Sequence, residues 1–70
     1  MLMKGDLVRI PQNSRISRLN YDNWVLHVTR DPEIGIVLKI EENRCTVLFN
    51  EREWVVQTKD LQLVGGRHVR

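Results

Sequence analysis

The sequence predicts an all-β domain of five strands. Apolar residues do not recur at helical spacing over any window of about eleven residues. Instead, short runs rich in Val, Ile, Leu, Phe and Trp recur along the chain, and each run is broken by turn-forming residues. Seventy residues bury only about 60% of the surface that the unfolded chain exposes. That leaves room for one core, so residues 1–66 read as a single barrel domain and residues 67–70 as a basic tail.

The first strand is Asp6 to Ile10, opened by Gly5 and closed by Pro11, whose missing N–H cannot continue a ladder. Gln12 to Asn23 is polar, with Asn13-Ser14-Arg15 and Tyr21-Asp22-Asn23 as turn-rich clusters separated by Ile16 and Leu19, and reads as a long loop. Trp24 to Val28 has strand-forming content and would make the returning arm of a hairpin whose outgoing arm begins near Arg15. Arg30-Asp31-Pro32-Glu33 is the next turn. Gly35 to Glu41 is apolar on both faces before it becomes polar, the pattern of a strand covered on two sides or bent to serve two sheets.

Glu42-Asn43-Arg44 turns tightly into Cys45 to Phe49, and Asn50-Glu51-Arg52 turns again into Glu53 to Gln57. Thr58-Lys59-Asp60 is one helical turn, Leu61 to Val64 alternates as the last strand, and Gly65-Gly66 ends the domain. A long first connection, two tight hairpins and a one-turn link close most economically as a small barrel, which removes unpaired strand edges.

Composition narrows the function classes. The chain is 41% hydrophobic and 29% charged, which suits a folded domain and not a disordered one. Its apolar runs, such as Ile36-Val37-Leu38, fall far short of the roughly 20 residues a spanning helix needs, so no membrane insertion is expected. The opening Met1-Leu2-Met3-Lys4-Gly5-Asp6 lacks the pattern of a secretory signal, which points to the cytoplasm. Cys45 stands alone, so packing without an internal disulfide must hold the fold. The net charge of +2 hides a split: residues 1–30 are basic, residues 31–60 are acidic, and Arg67 and Arg70 add to the tail. Eight of the eleven bases are Arg, which suits bidentate contact with carboxylate or phosphate.

Particular segments carry a family resemblance. Lys4-Gly5-Asp6-Leu7-Val8-Arg9 resembles the opening of SH3-like barrels, Ile34-Gly35-Ile36-Val37 resembles their second strand, and Trp54-Val55 with Lys59-Asp60-Leu61-Gln62-Leu63-Val64 resembles their closing segment. The resemblance spans residues 4 to 64 and implies a five-stranded SH3-like barrel with a long first loop and one helical turn before the last strand. Similar stand-alone barrels occur among small accessory and virion proteins of tailed bacteriophages, including phages of cyanobacteria. The compact Asn50-Glu51-Arg52 hairpin resembles theirs, and the E subunit of photosystem I is similar in size and layout. If the chain is phage-encoded, the host cytoplasm or the virion becomes its expected location.

Nothing in the sequence assembles an enzyme. His27 lies in an apolar strand and His68 in the tail, neither beside a nucleophile with an orienting acid. Two histidines and one thiol do not make a closed zinc site, and no glycine-rich phosphate loop precedes a helix, so no cofactor is expected. The acids Glu41, Glu42, Glu51 and Glu53 sit at hairpin ends and read as edge protection.

The informative residues are aromatic and basic. Tyr21, Trp24 and Trp54 are expected to border one groove beside the long loop, with Trp24 the exposed anchor and Trp54 either anchor or core plug. Arg15, Arg18 and Arg30 flank that loop and would meet an acidic partner. The first expectation is therefore a non-enzymatic protein-binding or structural module that binds a protein partner or self-associates as a homo-oligomer. The alternative is a nucleic-acid-binding barrel using Arg15, Arg18, Arg67 and Arg70. A third reading is a peripheral subunit of a photosynthetic or redox complex.

Overall fold

The computed structural model describes residues 2–64, so Gly65-Gly66 and the basic tail lie outside the described residues. The chain runs β1 (Leu7–Ile10), β2 (Arg15–Asn20), β3 (Asn23–Val28), β4 (Glu33–Glu41), β5 (Arg44–Phe49), β6 (Arg52–Gln57), a 3-10 turn (Thr58–Asp60) and β7 (Gln62–Leu63). All seven strands form one antiparallel sheet in the order β3-β2-β6-β5-β4-β1-β7. The all-β class is as expected, and no α-helix occurs among the described residues.

Two expectations change. The segment Gln12 to Asn23, read as a long loop, contains a regular strand, β2, which with β3 forms the hairpin expected from Arg15 to Val28, paired from Arg15↔Val28 to Asn20↔Asn23. A polar sequence did not prevent this, because pairing satisfies main-chain groups that an open loop would leave to solvent. The second change is that the expected five strands become seven and the sheet is not closed. β3 and β7 stand at opposite ends of the order. β7 has only two residues, both paired to β1 on one edge, and no pairing joins its other edge to β3 among the described residues.

β4 does the work of two strands. Its first half pairs with β1, from Leu7↔Ile36 to Ile10↔Glu33, and its second half continues along β5 to Glu41↔Arg44. The register shifts between Val37 and Lys39, a bulge-type irregularity of the kind that bends a strand, yet β4 stays within one sheet and does not serve two. Gly35 sits where β4 presses closest on β5. A Cβ built there would lie 2.5 Å from Val47 Cγ1 and 2.8 Å from the Leu48 carbonyl oxygen.

A second tie secures the bend. Gly5, at φ 90°, turns the chain so that its N–H donates to the Val37 carbonyl at 2.8 Å, while the Val37 N–H donates to Asp6 O at 2.9 Å. The Asp6 carboxylate accepts the Met3 N–H at 2.8 Å and closes the turn.

The concave side of the sheet holds the core: Val8, Ile10, Ile16, Val37, Cys45, Val47, Phe49, Trp54 and Val56, with Leu2 and Leu61 packed against it. These positions alternate along their strands, as a half-buried sheet requires. The β5–β6 connection is a two-residue turn at Asn50 and Glu51, both with positive φ. That is the type I′ geometry whose twist matches the flanking strands.

The two glycines give a ranked prediction. Gly35→Ala is expected to lower unfolding free energy by about 2–3 kcal/mol, because the obstruction includes backbone. Gly5→Ala, which has open space but the wrong φ, is expected to cost about 1–2 kcal/mol. Urea melts check both; a Gly35→Ala protein as stable as the wild type contradicts the close approach.

Candidate functional site

The β2–β3 hairpin is anchored at its base and free at its tip. At the base, the Pro11 carbonyl accepts from the Ser14 hydroxyl and the Thr29 hydroxyl, each at 2.7 Å. Thr29 Oγ1 in turn accepts the buried Ser14 N–H at 2.9 Å, and the Thr29 N–H donates to Ser14 O at 3.0 Å. Above this clamp, β2 pairs with β6 only at Ile16↔Val56 and Ser17↔Val55. From Leu19 outward, among the described residues, the hairpin has no strand beyond its own two arms.

Alternation sorts the hairpin side chains onto two faces. The inner face carries Ile16, Arg18, Val25 and His27, directed toward the core. The Arg18 guanidinium lies over the Trp54 ring, 5.5 Å from its centroid, and His27 and Phe49 flank the same indole at 5.5 and 5.6 Å. Trp54 is packed against all three and is buried. Its Nε1 and Arg18 Nε are also buried and have no hydrogen-bond partner among the described residues, a cost that the stacking must offset. A cleft of about 570 Å³ opens beside this cluster, with Glu33, Glu51 and Arg52 on its rim.

The outer face, which also carries Arg15 and Ser17, is largely apolar and is uncovered by any of the described residues. Leu19, Trp24, Leu26 and Val28 are 56%, 59%, 82% and 49% exposed, and Tyr21 at the tip is 91% exposed. A second apolar patch, Leu7, Ile34, Ile36 and Leu48, lies on the same side of the sheet, and Glu53 follows Leu48 in its row toward the hairpin.

The residues anticipated for partner binding are therefore divided. Arg18 and Trp54 meet each other. Tyr21 and Trp24 sit at the hairpin tip, and Arg15 lies on the outer face near the base. Arg30 is exposed just beyond β3. The expected common groove of Tyr21, Trp24 and Trp54 does not form, because Trp24 pairs with Leu19 one step out of phase with Arg18, which puts it on the face opposite Trp54. Sequence reasoning missed Leu26 and Val28. Their in-phase spacing with Trp24 was visible, but spacing does not say which face of a strand is covered.

Among the described residues no group of three or more His, Cys, Asp or Glu is placed to hold a metal, and no helix is long and apolar enough to cross a membrane. Comparison with protein-family models, curated proteins and solved structures finds no match, and nothing in it links the chain to phage or photosystem proteins.

Two substitutions test the site's framework. Thr29→Val strands the buried Ser14 N–H and is expected to cost about 1–3 kcal/mol in a urea melt. In a Trp24→Phe background, where Trp54 is the sole tryptophan and is excited selectively over Tyr21, Arg18→Ala is expected to shift emission to longer wavelength as water reaches the indole. Unchanged emission would show that the guanidinium does not cover the ring.

Proposed function

We propose that this chain is a non-enzymatic binding module that docks a protein through the outer face of the β2–β3 hairpin. One observation carries the reading: Leu19, Trp24, Leu26 and Val28 form a continuous exposed apolar face on an element that is anchored at its base and free at its tip. Apolar residues scattered singly over a surface are ordinary, whereas a contiguous patch of large ones marks an interaction surface. Trp24 and Tyr21 add rigid area of the kind that dominates interface energetics.

In this reading β1 and β4–β7 are the five strands of an SH3-like domain, and the hairpin is an elaboration of its first connection. The resemblance of the compact Asn50-Glu51-Arg52 hairpin before Trp54-Val55 to those of small phage barrels supports a virion or accessory component, acting in the host cytoplasm or the particle. Nucleic-acid binding is the weaker reading. Arg18 is committed to Trp54, and Arg44 lies 3.6 Å from Glu41, which draws its charge away from a phosphate.

Trp24→Ala is expected to leave stability within about 0.5 kcal/mol, as for an exposed position, while abolishing capture of a partner that the wild-type protein retains from its source cell. Equal recovery by both proteins would exclude the hairpin as the docking element. Binding to nucleic acid that collapses steeply between low and physiological salt would favour the second reading.

A further inference from the structure

We infer that the partner of this hairpin is a second copy of the chain, joined by antiparallel two-fold pairing of β3 with β3 of the other copy, centred on Leu26. The inference rests on the reading of the hairpin as the docking element. It begins from the main chain and not from the side chains.

β3 is the open edge of the sheet. The Thr29 N–H points inward, to Ser14 O. Because antiparallel ladders alternate, the main-chain groups of Val28, Leu26 and Trp24 point the other way, toward the open edge. The same three residues carry the exposed apolar side chains. An edge of this kind templates pairing with another strand, and monomeric proteins commonly block it with Lys, Pro, a bulge or extreme shortness. β3 is six residues, Asn23-Trp24-Val25-Leu26-His27-Val28, and contains no Lys, Pro, Gly or acid. The opposite edge, β7, is blunted by its length of two residues.

Charge selects the occupant and the register. A two-fold antiparallel pair must match residues that share a face, so the axis passes through a residue. With the axis at Leu26, Leu26 meets its own counterpart and Trp24 lies against the second copy's Val28. Val25 then lies against the second copy's His27. Beyond the strand ends, Asp22, one residue before β3, faces the second copy's Arg30, two residues after it, an acid against a base, and symmetry makes that contact twice. Moving the axis by one residue sets Asp22 against Val28 or Trp24 against Arg30 and forfeits the match. Three outward residues per strand supply about six main-chain hydrogen bonds across the seam. The apolar side chains cover one side of it. Such an isologous contact closes on itself and yields a dimer.

Sedimentation equilibrium on the whole chain from about 1 to 500 µM tests this, with circular dichroism confirming that each variant is folded. The wild type is expected to pass from one chain mass toward two. Leu26→Lys, at a site 82% exposed and so tolerant of charge, is expected to weaken association by at least about 30-fold, as an edge lysine does. Asp22→Arg is expected to weaken it about 5- to 10-fold, and the double exchange Asp22→Arg/Arg30→Asp to restore it to within about threefold, in the range of coupled interface charges. Amide exchange supplies a separate readout: the N–H groups of Trp24, Leu26 and Val28 gain protection as concentration rises, while those of Val25 and His27 are protected throughout.

A wild type that stays monomeric at 500 µM, or a dimer unmoved by Leu26→Lys, overturns the inference. In that case, if Trp24→Ala still releases a different protein captured by the wild type, the docking reading survives and only its occupant changes. If Trp24→Ala alters neither chain mass nor captured protein, both fall.

Discussion

The fold depends on how closely β4 can approach β5 at Gly35. β4 is the only strand that pairs with β1 on one side and β5 on the other, so it transmits the geometry of each half of the sheet to the other. A Cβ at Gly35 would strike Val47 and the Leu48 carbonyl, and the space it leaves empty is what lets Val8, Val37, Val47 and Phe49 close over the concave side. The register shift after Val37 then turns the strand, and the paired hydrogen bonds between Val37 and the Gly5–Asp6 turn hold the shift in place. With no disulfide available to Cys45 inside this chain, tight packing of this kind has to supply the stability that a cross-link would otherwise add.

The hairpin is coupled to that core through Trp54. Its inner face brings Arg18 and His27 onto an indole that also stacks with Phe49, so the arm that carries the outer apolar face is positioned by these ring contacts as well as by two residue pairs with β6. The arrangement leaves two buried donors unpaired, which is tolerable only where apolar and cation–π contacts outweigh the loss. The Pro11, Ser14 and Thr29 clamp fixes the other end of the lever. Rigidity at the base and core, with exposure at the tip, is the mechanical condition for presenting a strand edge at low entropic cost.

An open edge with large apolar side chains is a hazard unless something covers it. Here the two ends of the sheet are treated differently: β7 is reduced to two residues, with Arg9 donating to Gln62 at 2.8 Å beside it, while β3 remains long, regular and uncharged. That asymmetry is the reason for placing function at the hairpin and not at the Leu7, Ile34, Ile36 and Leu48 patch, which offers side chains but no free main chain.

The all-β class, the one-turn link before the last strand, and the tight turns at Glu42-Asn43-Arg44 and Asn50-Glu51-Arg52 were legible in the residues alone. Each rests on local chemistry: turn residues and alternation. The apolar pattern of Gly35 to Glu41 allowed two sheets, whereas the strand lies within one. What local chemistry does not contain is which face a strand buries and what lies beyond its edge. Residues 12–23 therefore read as a long loop, with only Trp24 to Val28 read as the returning arm of a hairpin, and the pairing of β2 with β6 at Ile16 and Ser17 was not visible in the sequence. Likewise, Tyr21, Trp24 and Trp54 could be grouped by type but not by face. Tertiary contact decided those points, because a period of two specifies that side chains alternate and leaves open which set meets the core.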